Sequence, residues 1–405
     1  MFGNLLQLSG ISWALVLLTA WPGLGEEIST QKESPLAIAV NQVGFDLLYA
    51  LELEKDEDNL VYSPLSVSAC LSMLETGARG QTAAELSAAT RFNGRRAELA
   101  AAWSQLLGEL DSDQGDFTLR YAAQLWGATG YDYQPAMLQI LREKYRAELF
   151  LLDFRSEPEQ ARREVRQWMQ QQTGSQIKFD DAIPISPDTM LLVTSSLYFR
   201  DSWTHPFLPQ LTREAAFGKT KGKEESAPKV SLMHQIARIR YAENSQCQLV
   251  ELPYQGERVT FVVVLPKDVD VPQSEERKLS AADLSRLRSD AKEMSVELFL
   301  PRFQITEGSS LKQTLNRLGV RTAFSPEADF TPVAGKSNLY LQDIRHQAVI
   351  DLNESGTEVA AVTTAFISKS VREADAVFRA DHPFLFFVID DRTDAILLMG
   401  KFAKP

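Results

Sequence analysis

Side chains able to do covalent or metal chemistry are sparse in this sequence and badly spaced for it. The four histidines, His205, His234, His346 and His382, stand singly, whereas zinc sites draw on ligands grouped at short intervals. There is no His-Glu-x-x-His and no Gly-x-Ser-x-Gly, so neither zinc-bound hydroxide nor an activated serine has its usual frame. Gly218-Lys219-Thr220 and Gly335-Lys336-Ser337 look like the end of a phosphate loop, but the earlier glycine such a loop requires falls on Arg213 and Phe330. Function is therefore expected in a surface, not in a catalytic pocket. What remains is a property of the backbone. Glu354-Ser355-Gly356-Thr357-Glu358-Val359-Ala360-Ala361-Val362-Thr363-Thr364-Ala365 follows a strand-like run, Ala348 to Leu352, and holds small and β-branched residues without proline. Such a segment can join a sheet as a strand or stay out as a loop, and two available states are what a conformational switch needs.

The flanking pattern says what would hold that segment. Val40, Val43, Leu47 and Leu51 recur at helical spacing within 37–53. Leu60-Val61-Tyr62 reads as a short strand. Ser63-Pro64 opens a nearly all-apolar helix to about Glu75, with serine as its cap and proline at its first position. Helices are also expected over 82–89, 97–110, 157–172 and 311–318. After Asp188 the texture changes: 190–199, 248–253, 259–265 and 295–305 are rich in Val, Leu and Phe and read as strands. Helices dominate the first half and strands the second, which predicts an α+β fold with large antiparallel sheets. No repeat or linker-like tract divides the chain, so one large domain is expected.

The 405 residues carry a net charge of -12. That balance speaks against binding nucleic acid or an anionic membrane. Two cysteines, Cys70 and Cys247, cannot make a disulfide framework and read as buried free thiols. Trp13 to Leu18 is an apolar core followed by Gly23-Leu24-Gly25, which predicts an export signal over residues 1–25 and a mature chain from Glu26; no Lys or Arg precedes that core, and an uncleaved anchor is the alternative.

Several longer motifs, taken in order, resemble the serpin family of serine protease inhibitors. They are Asn59-Leu60-Val61-Tyr62-Ser63-Pro64-Leu65-Ser66 with Gly77-Ala78-Arg79-Gly80-Gln81-Thr82, Leu197-Tyr198-Phe199 with Trp203, Glu251-Leu252-Pro253-Tyr254, and Leu300-Pro301-Arg302-Phe303. Ala323-Phe324-Ser325-Pro326 and the run Phe378-Arg379-Ala380-Asp381-His382-Pro383-Phe384-Leu385-Phe386 complete the set. The resemblance covers about 35–405. The chain departs from the family at Ser195, where asparagine is usual, at Arg200-Asp201, where Lys-Gly is usual, before Trp168, and at Asp394, where glycine is common.

The resemblance implies three β-sheets surrounded by eight to nine helices, in one domain over 26–405 with an exposed reactive loop at about 354–377. It implies no cofactor and no enzyme activity, but a bait for a serine protease, with a cysteine protease as the alternative. The cut loop would enter the main sheet as a new strand and carry the trapped protease with it. A non-inhibitory carrier, chaperone or storage protein is the competing reading. Insertion requires one face of the new strand to be buried. Thr357, Val359, Ala361, Thr363, Ala365 and Ile367 make an uncharged face; Glu358, Ala360, Val362, Thr364 and Phe366 make the other. Glu354, Gly356, Thr357, Glu358, Val359, Ala360, Ala361 and Val362 make the hinge, Gly356 as the point of backbone reversal and Thr357 as the first residue to enter. Counting 17 residues from Glu354, as family loops run, places the cut at Ser370-Val371; Lys369-Ser370 would suit a trypsin-like protease instead. Ser63, Ser66, His346 and Trp203 are expected in a sheet-opening cluster in which neutral His346 bridges strand and helix. The helix over 97–110 has no Lys or Arg, so heparin activation through it is not expected, and Lys219, Lys221, Lys223 and Lys229 read as a solvated loop. Asn353-Glu354-Ser355 is a glycosylation sequon expected to be unmodified. A secreted, extracellular monomer is expected, or a periplasmic one in a bacterium.

Overall fold

The computed structural model describes residues 34–54, 58–111, 117–172, 183–218, 227–267, 279–335, 339–357 and 374–405. The predicted export signal and the predicted reactive bond lie outside these. Residues 33–405 form one compact unit. Among the described residues no helix is long and apolar enough to cross a membrane.

Helix α1 (Pro35–Glu52) buries the face carrying Val40, Val43, Leu47 and Leu51. Strand β1 (Leu60–Tyr62) leads into α2 (Pro64–Thr76), where the Ser63 hydroxyl accepts a hydrogen bond from the Ser66 N–H at 3.1 Å. This satisfies one of the free donors at the helix start. Every residue of α2 from Pro64 to Glu75 is buried, as suits a helix apolar on all sides. Next come α3 (Gly80–Thr90) and α4 (Arg96–Asp111). The latter starts one residue earlier than expected and so does contain an arginine, but the Arg96 guanidinium turns inward to the carbonyls of Glu75 and Ala78. No basic stripe results.

The rest of the chain alternates strands and helices. It runs β2 (Thr118–Ala128), α5 (Pro135–Tyr145), β3 (Ala147–Leu152), α6 (Pro158–Gln172), β4 (Leu191–Ser202), β5 (Arg213–Ala216), β6 (Lys229–Glu243), β7 (Cys247–Pro253) and β8 (Val259–Pro266). Then follow α7 (Ala281–Asp290), β9 (Lys292–Pro301), β10 (Phe303–Ser310), α8 (Lys312–Arg317), α9 (Thr331–Ala334), β11 (Leu341–Asn353), β12 (Gly356–Thr357), β13 (Ala376–Arg379), β14 (Phe384–Asp390) and β15 (Ala395–Phe402).

The strands form a six-stranded sheet, ordered β10-β11-β12-β4-β2-β3, and a nine-stranded system, β1-β15-β14-β8-β7-β6-β9-β13 with β5 on β6. The three expected sheets are present; two of them are continuous because the 15-residue β6 serves both, pairing β9 and β5 along one stretch and β7 at its end. The strand expected over 295–305 is two strands in different sheets. Pro301 has no N–H to continue the ladder, and the Arg302 N–H turns to Ser231 O at 2.8 Å. Lys229, expected in a loop, is the exposed first residue of β6. Cys70 and Cys247 are buried and free. Asp394 adopts the left-handed backbone (φ 56°) that glycine favours. Aspartate tolerates it better than most residues, and its Oδ1 accepts from Arg288 at 2.8 Å.

Candidate functional site

The six-stranded sheet has two parallel ladders, β2–β3 at its edge and β4–β11 in its interior, and the interior one is its weak line. β4 and β11 run parallel and pair directly from Leu191↔Leu341 to Leu197↔Ala348. Beyond that they diverge, and β12 sits between them, antiparallel to both: Thr357 lies opposite Leu352 on one side and Asp201 on the other, and Gly356 opposite Asn353 and Ser202.

Thr357 is 0% exposed. Its Oγ1 lies 2.5 Å from the Tyr254 hydroxyl, and Tyr254 stacks on Trp203 with ring centroids 4.4 Å apart and planes at 14°. Trp203 in turn donates from Nε1 to Asn353 O at 2.9 Å and from its backbone N–H to Ser355 O at 2.9 Å. Glu354 is fastened twice. Its carbonyl accepts from the Phe207 N–H at 2.9 Å, and its Oε1 accepts from the Thr212 hydroxyl at 2.8 Å. The described start of the expected loop, 354–357, is therefore docked rather than exposed: its backbone finds partners on both flanking strands and an aromatic floor below. At the other end of the range, Ala376 and Val377 already belong to β13.

The expected reversal falls on Glu354-Ser355, and Gly356, paired back to Asn353, closes it. A Cβ at that position would lie 2.1 Å from Asp201 O, and φ is +153°, so glycine is required by close backbone approach. In the sequon, Asn353 is half-buried, its Oδ1 accepts from the Ser355 N–H at 2.9 Å, and Ser355 is buried.

The second cluster lies lower on the same line. The Ser63 N–H donates to His346 Nε2 at 2.9 Å. The proton is thus on Nδ1, which donates to Ser195 Oγ at 2.9 Å. Ser66 Oγ donates to Ser196 O at 3.4 Å. His346 on β11 thereby ties β4 to the start of α2 across the weak line. Trp203 is not part of this cluster: it lies eight residues beyond Ser195, about 26 Å along an extended chain, and belongs with Thr357. Ser195, which departs from the family pattern, is a working member. Beneath it, burial pushes the Cys70 thiol up to about 12, a hydrogen bond with Ser195 offsetting part of the effect; the thiol stays un-ionised.

Burial without a counter-charge holds the His346 imidazole down at about 3, against an ordinary 6.5. In the closed sheet it is neutral throughout the physiological range. In an opened or unfolded chain it titrates at its ordinary value. The closed state's stability is thus fully present above pH 6.5 and is eroded from there down to about 3, by about 1.4 kcal/mol per pH unit. Between pH 7 and 5 this amounts to about 2 kcal/mol from this one residue. Opening of the sheet along this line is expected to accelerate over that interval, and His346→Gln to flatten the profile. An equally steep profile in the variant would refute this role.

Glu358, Val359, Ala360, Ala361, Val362, Lys369, Ser370 and Val371 lie outside the described residues. Sequence reasoning overlooked Tyr254 and Thr212. Tyr254 stands in one of the quoted motifs, yet nothing in spacing tells that its hydroxyl reaches a residue 103 positions away.

A family model described as "Serpin (serine protease inhibitor)" matches residues 38–405. The chain is 32% identical over 377 residues to the leukocyte elastase inhibitor of Bos taurus, spanning 91% of this chain and 99% of that protein. It is 33% identical over 378 residues to an uncharacterized serpin-like protein of Thermococcus kodakarensis, spanning 92% and 87%. The solved structure of thyroxine-binding globulin complexed with thyroxine superposes with a TM-score of 0.81 at 25% identity, covering 91% of this chain and 99% of that one.

Proposed function

The chain belongs to the serpin family, and from this we propose that it inhibits a protease as a suicide substrate. The observation that carries the reading is the position of β12. The first residues of the would-be inserting strand occupy the top of the line between β4 and β11, in the register that puts Thr357 on the buried face.

The chemistry is the protease's own. Its nucleophile attacks the carbonyl of Ser370, an acyl-enzyme ester forms, and the amine of Val371 departs with a proton. The freed strand then continues from Thr357 into the sheet, carrying Val359, Ala361, Thr363, Ala365 and Ile367 inward. Displacement of the acylated protease outruns attack by water on the ester, so the complex persists. This chain supplies stored conformational free energy rather than a catalytic group.

Ser370 as the residue before the cut points to a protease that accepts small side chains. The bovine relative named for leukocyte elastase is consistent with that preference. Lys369-Ser370 remains the alternative bond and would bring a trypsin-like protease. The carrier reading draws on the likeness to thyroxine-binding globulin. The remaining proposals are export guided by residues 1–25, a monomeric state, and no polyanion activation through α4.

Incubation with a panel of elastase-like and trypsin-like proteases tests the reading. A complex surviving boiling in denaturant is expected with a small-residue-specific protease, releasing a C-terminal peptide that begins at Val371. Cleavage without any stable complex would overturn inhibition, and a peptide beginning at Ser370 would move the bond.

A further inference from the structure

Along β11 the alternation of side chains makes two unlike faces. Ile344, Ala348 and Ile350 share the face of His346, and all are buried. Asp343, Arg345 and Gln347 make the opposite face, and they are 1%, 8% and 0% exposed. A polar face on a strand ordinarily meets water; this one is shut away from it. Its charges are poorly matched. Asp343 Oδ1 accepts from Ser310 Oγ at 2.7 Å, but Oδ2 comes no nearer than 4.0 Å to Arg345 Nη1. Among the described residues neither Asp343 Oδ2 nor Arg345 Nε has a hydrogen-bond partner, and Arg345 Nη2 donates to Gly308 O at a long 3.4 Å. The Thr194 hydroxyl, in the same row on β4, accepts from Trp126 Nε1 at 3.0 Å. Ion pairing normally lowers the pKa of the acid and raises that of the base. Here both move the other way. Burial pushes the Asp343 carboxyl up, outweighing the Ser310 hydrogen bond and the Arg345 charge. Burial draws the Arg345 guanidinium down, outweighing the attraction of Asp343 and of Glu307 on β10. A buried pair with loose geometry costs more in lost hydration than it returns.

The pair stands on the line where the sheet must part. Asp343 lies opposite Leu192, and Arg345 opposite Thr194, in the parallel ladder between β11 and β4. A buried pair made only for strength closes to hydrogen-bond distance, as Arg258 and Asp390 do at 2.8 Å. We infer that Asp343 and Arg345 are a built-in destabiliser of the closed sheet: they raise the free energy of the uncut protein and ease the parting of β4 from β11. The inference deepens the inhibitory reading and rests on it for its second half. Continued in the register that sets Thr357 opposite Leu352, an entering strand brings Thr364 opposite Arg345. It also moves β4 away by one strand spacing, about 4.8 Å. The guanidinium then gains a hydroxyl and room, so the cost is confined to the closed state.

The test compares wild type with two double variants. Scanning calorimetry is run before and after loop cleavage by a non-target protease, and a protease from the panel is titrated with each protein. Asp343→Leu plus Arg345→Met replaces the pair with apolar side chains of similar size. Asp343→Asn plus Arg345→Gln keeps the polar shape and removes the charges, and it decides the matter if the apolar variant fails to fold. Either is expected to raise the midpoint of the uncut protein by about 2–6 °C and to leave that of the cut protein within about 1 °C of wild type. The amount of inhibitor consumed per protease trapped should rise about twofold or more, at an unchanged rate of cutting. A lower or unchanged midpoint of the uncut variants would overturn the inference, because the pair would then be holding the sheet together or doing nothing to it. An equal rise in uncut and cut protein would also overturn it, since the cost would not belong to the closed sheet. If wild type gains no stability on cutting and traps no protease, the inhibitory reading falls, while the uncut midpoints still decide whether the pair weakens the sheet.

Discussion

Replacing Thr357 with arginine is expected to turn the protein from a trap into a substrate. Thr357 is fully buried, paired on both sides, with its hydroxyl against Tyr254. Arginine overfills that slot, and although the buried Asp201 stands opposite on β4, taking a guanidinium out of water there still costs about 3 kcal/mol. Borne at the entry step, that slows insertion roughly a hundredfold, so water reaches the ester first. Thr357→Arg should be cut at the wild-type rate, form almost no denaturant-stable complex, and be consumed in large molar excess before any protease is lost. Thr357→Ser, which keeps the hydroxyl, should behave like wild type. A Thr357→Arg protein that still inhibits near one-to-one would show that insertion does not begin here. The same substitution should loosen 354–357 from Trp203 and Thr212, which limited proteolysis of the uncut protein would detect.

Cleavage of the loop is expected to raise thermal stability sharply. On the proposed mechanism the cut would free ten more residues, Glu358 to Ile367, to extend β12 between β4 and β11 as a full strand. If the gain rivals an ordinary domain's stability, ~5–15 kcal/mol, the midpoint rises by about 5–30 °C, since each kcal/mol is worth roughly 1–2 °C in a chain of this size. Scanning calorimetry before and after cutting with a non-target protease measures this directly. An unchanged midpoint would favour the carrier reading over the trap. Gly356→Val should suppress the rise, because a side chain there collides with the backbone of Asp201.

Much of this was legible in the chain because it is local. The Ser63 cap, the proline behind it and the all-apolar α2 follow from residue types within one turn. The strand at 348–352 and the uncharged face headed by Thr357 follow from period-two alternation. What escaped was set by distant partners. β6 carries no continuous apolar block, since its outward residues His234, Arg238 and Arg240 interrupt the pattern, and its pairing with β9 decides it. The run 295–305 looks like one strand, and only the sheets on either side of Arg302 split it. Trp203 was grouped with His346 on resemblance, although eight residues of extended chain separate its position from Ser195. The docked state of 354–357 depends on Trp203, Phe207, Thr212 and Tyr254, none of them nearby in sequence.

The parallel pairing of β4 with β11 has a mechanical meaning. Parallel ladders are slightly weaker per residue than antiparallel ones, and here such a ladder lies between two antiparallel pairs, β10–β11 and β4–β2. It behaves like a scored line in a plate. Each residue of strand that advances breaks one row of rungs and closes two. Resistance is therefore concentrated at the tip of the crack, and the material behind the tip heals stronger than before. Because Gly356 and Thr357 hold the first few ångströms open, the proposed insertion would need no fresh fracture; an existing one would only have to run, and its speed would be set by the next rung ahead, not by the length of the tear.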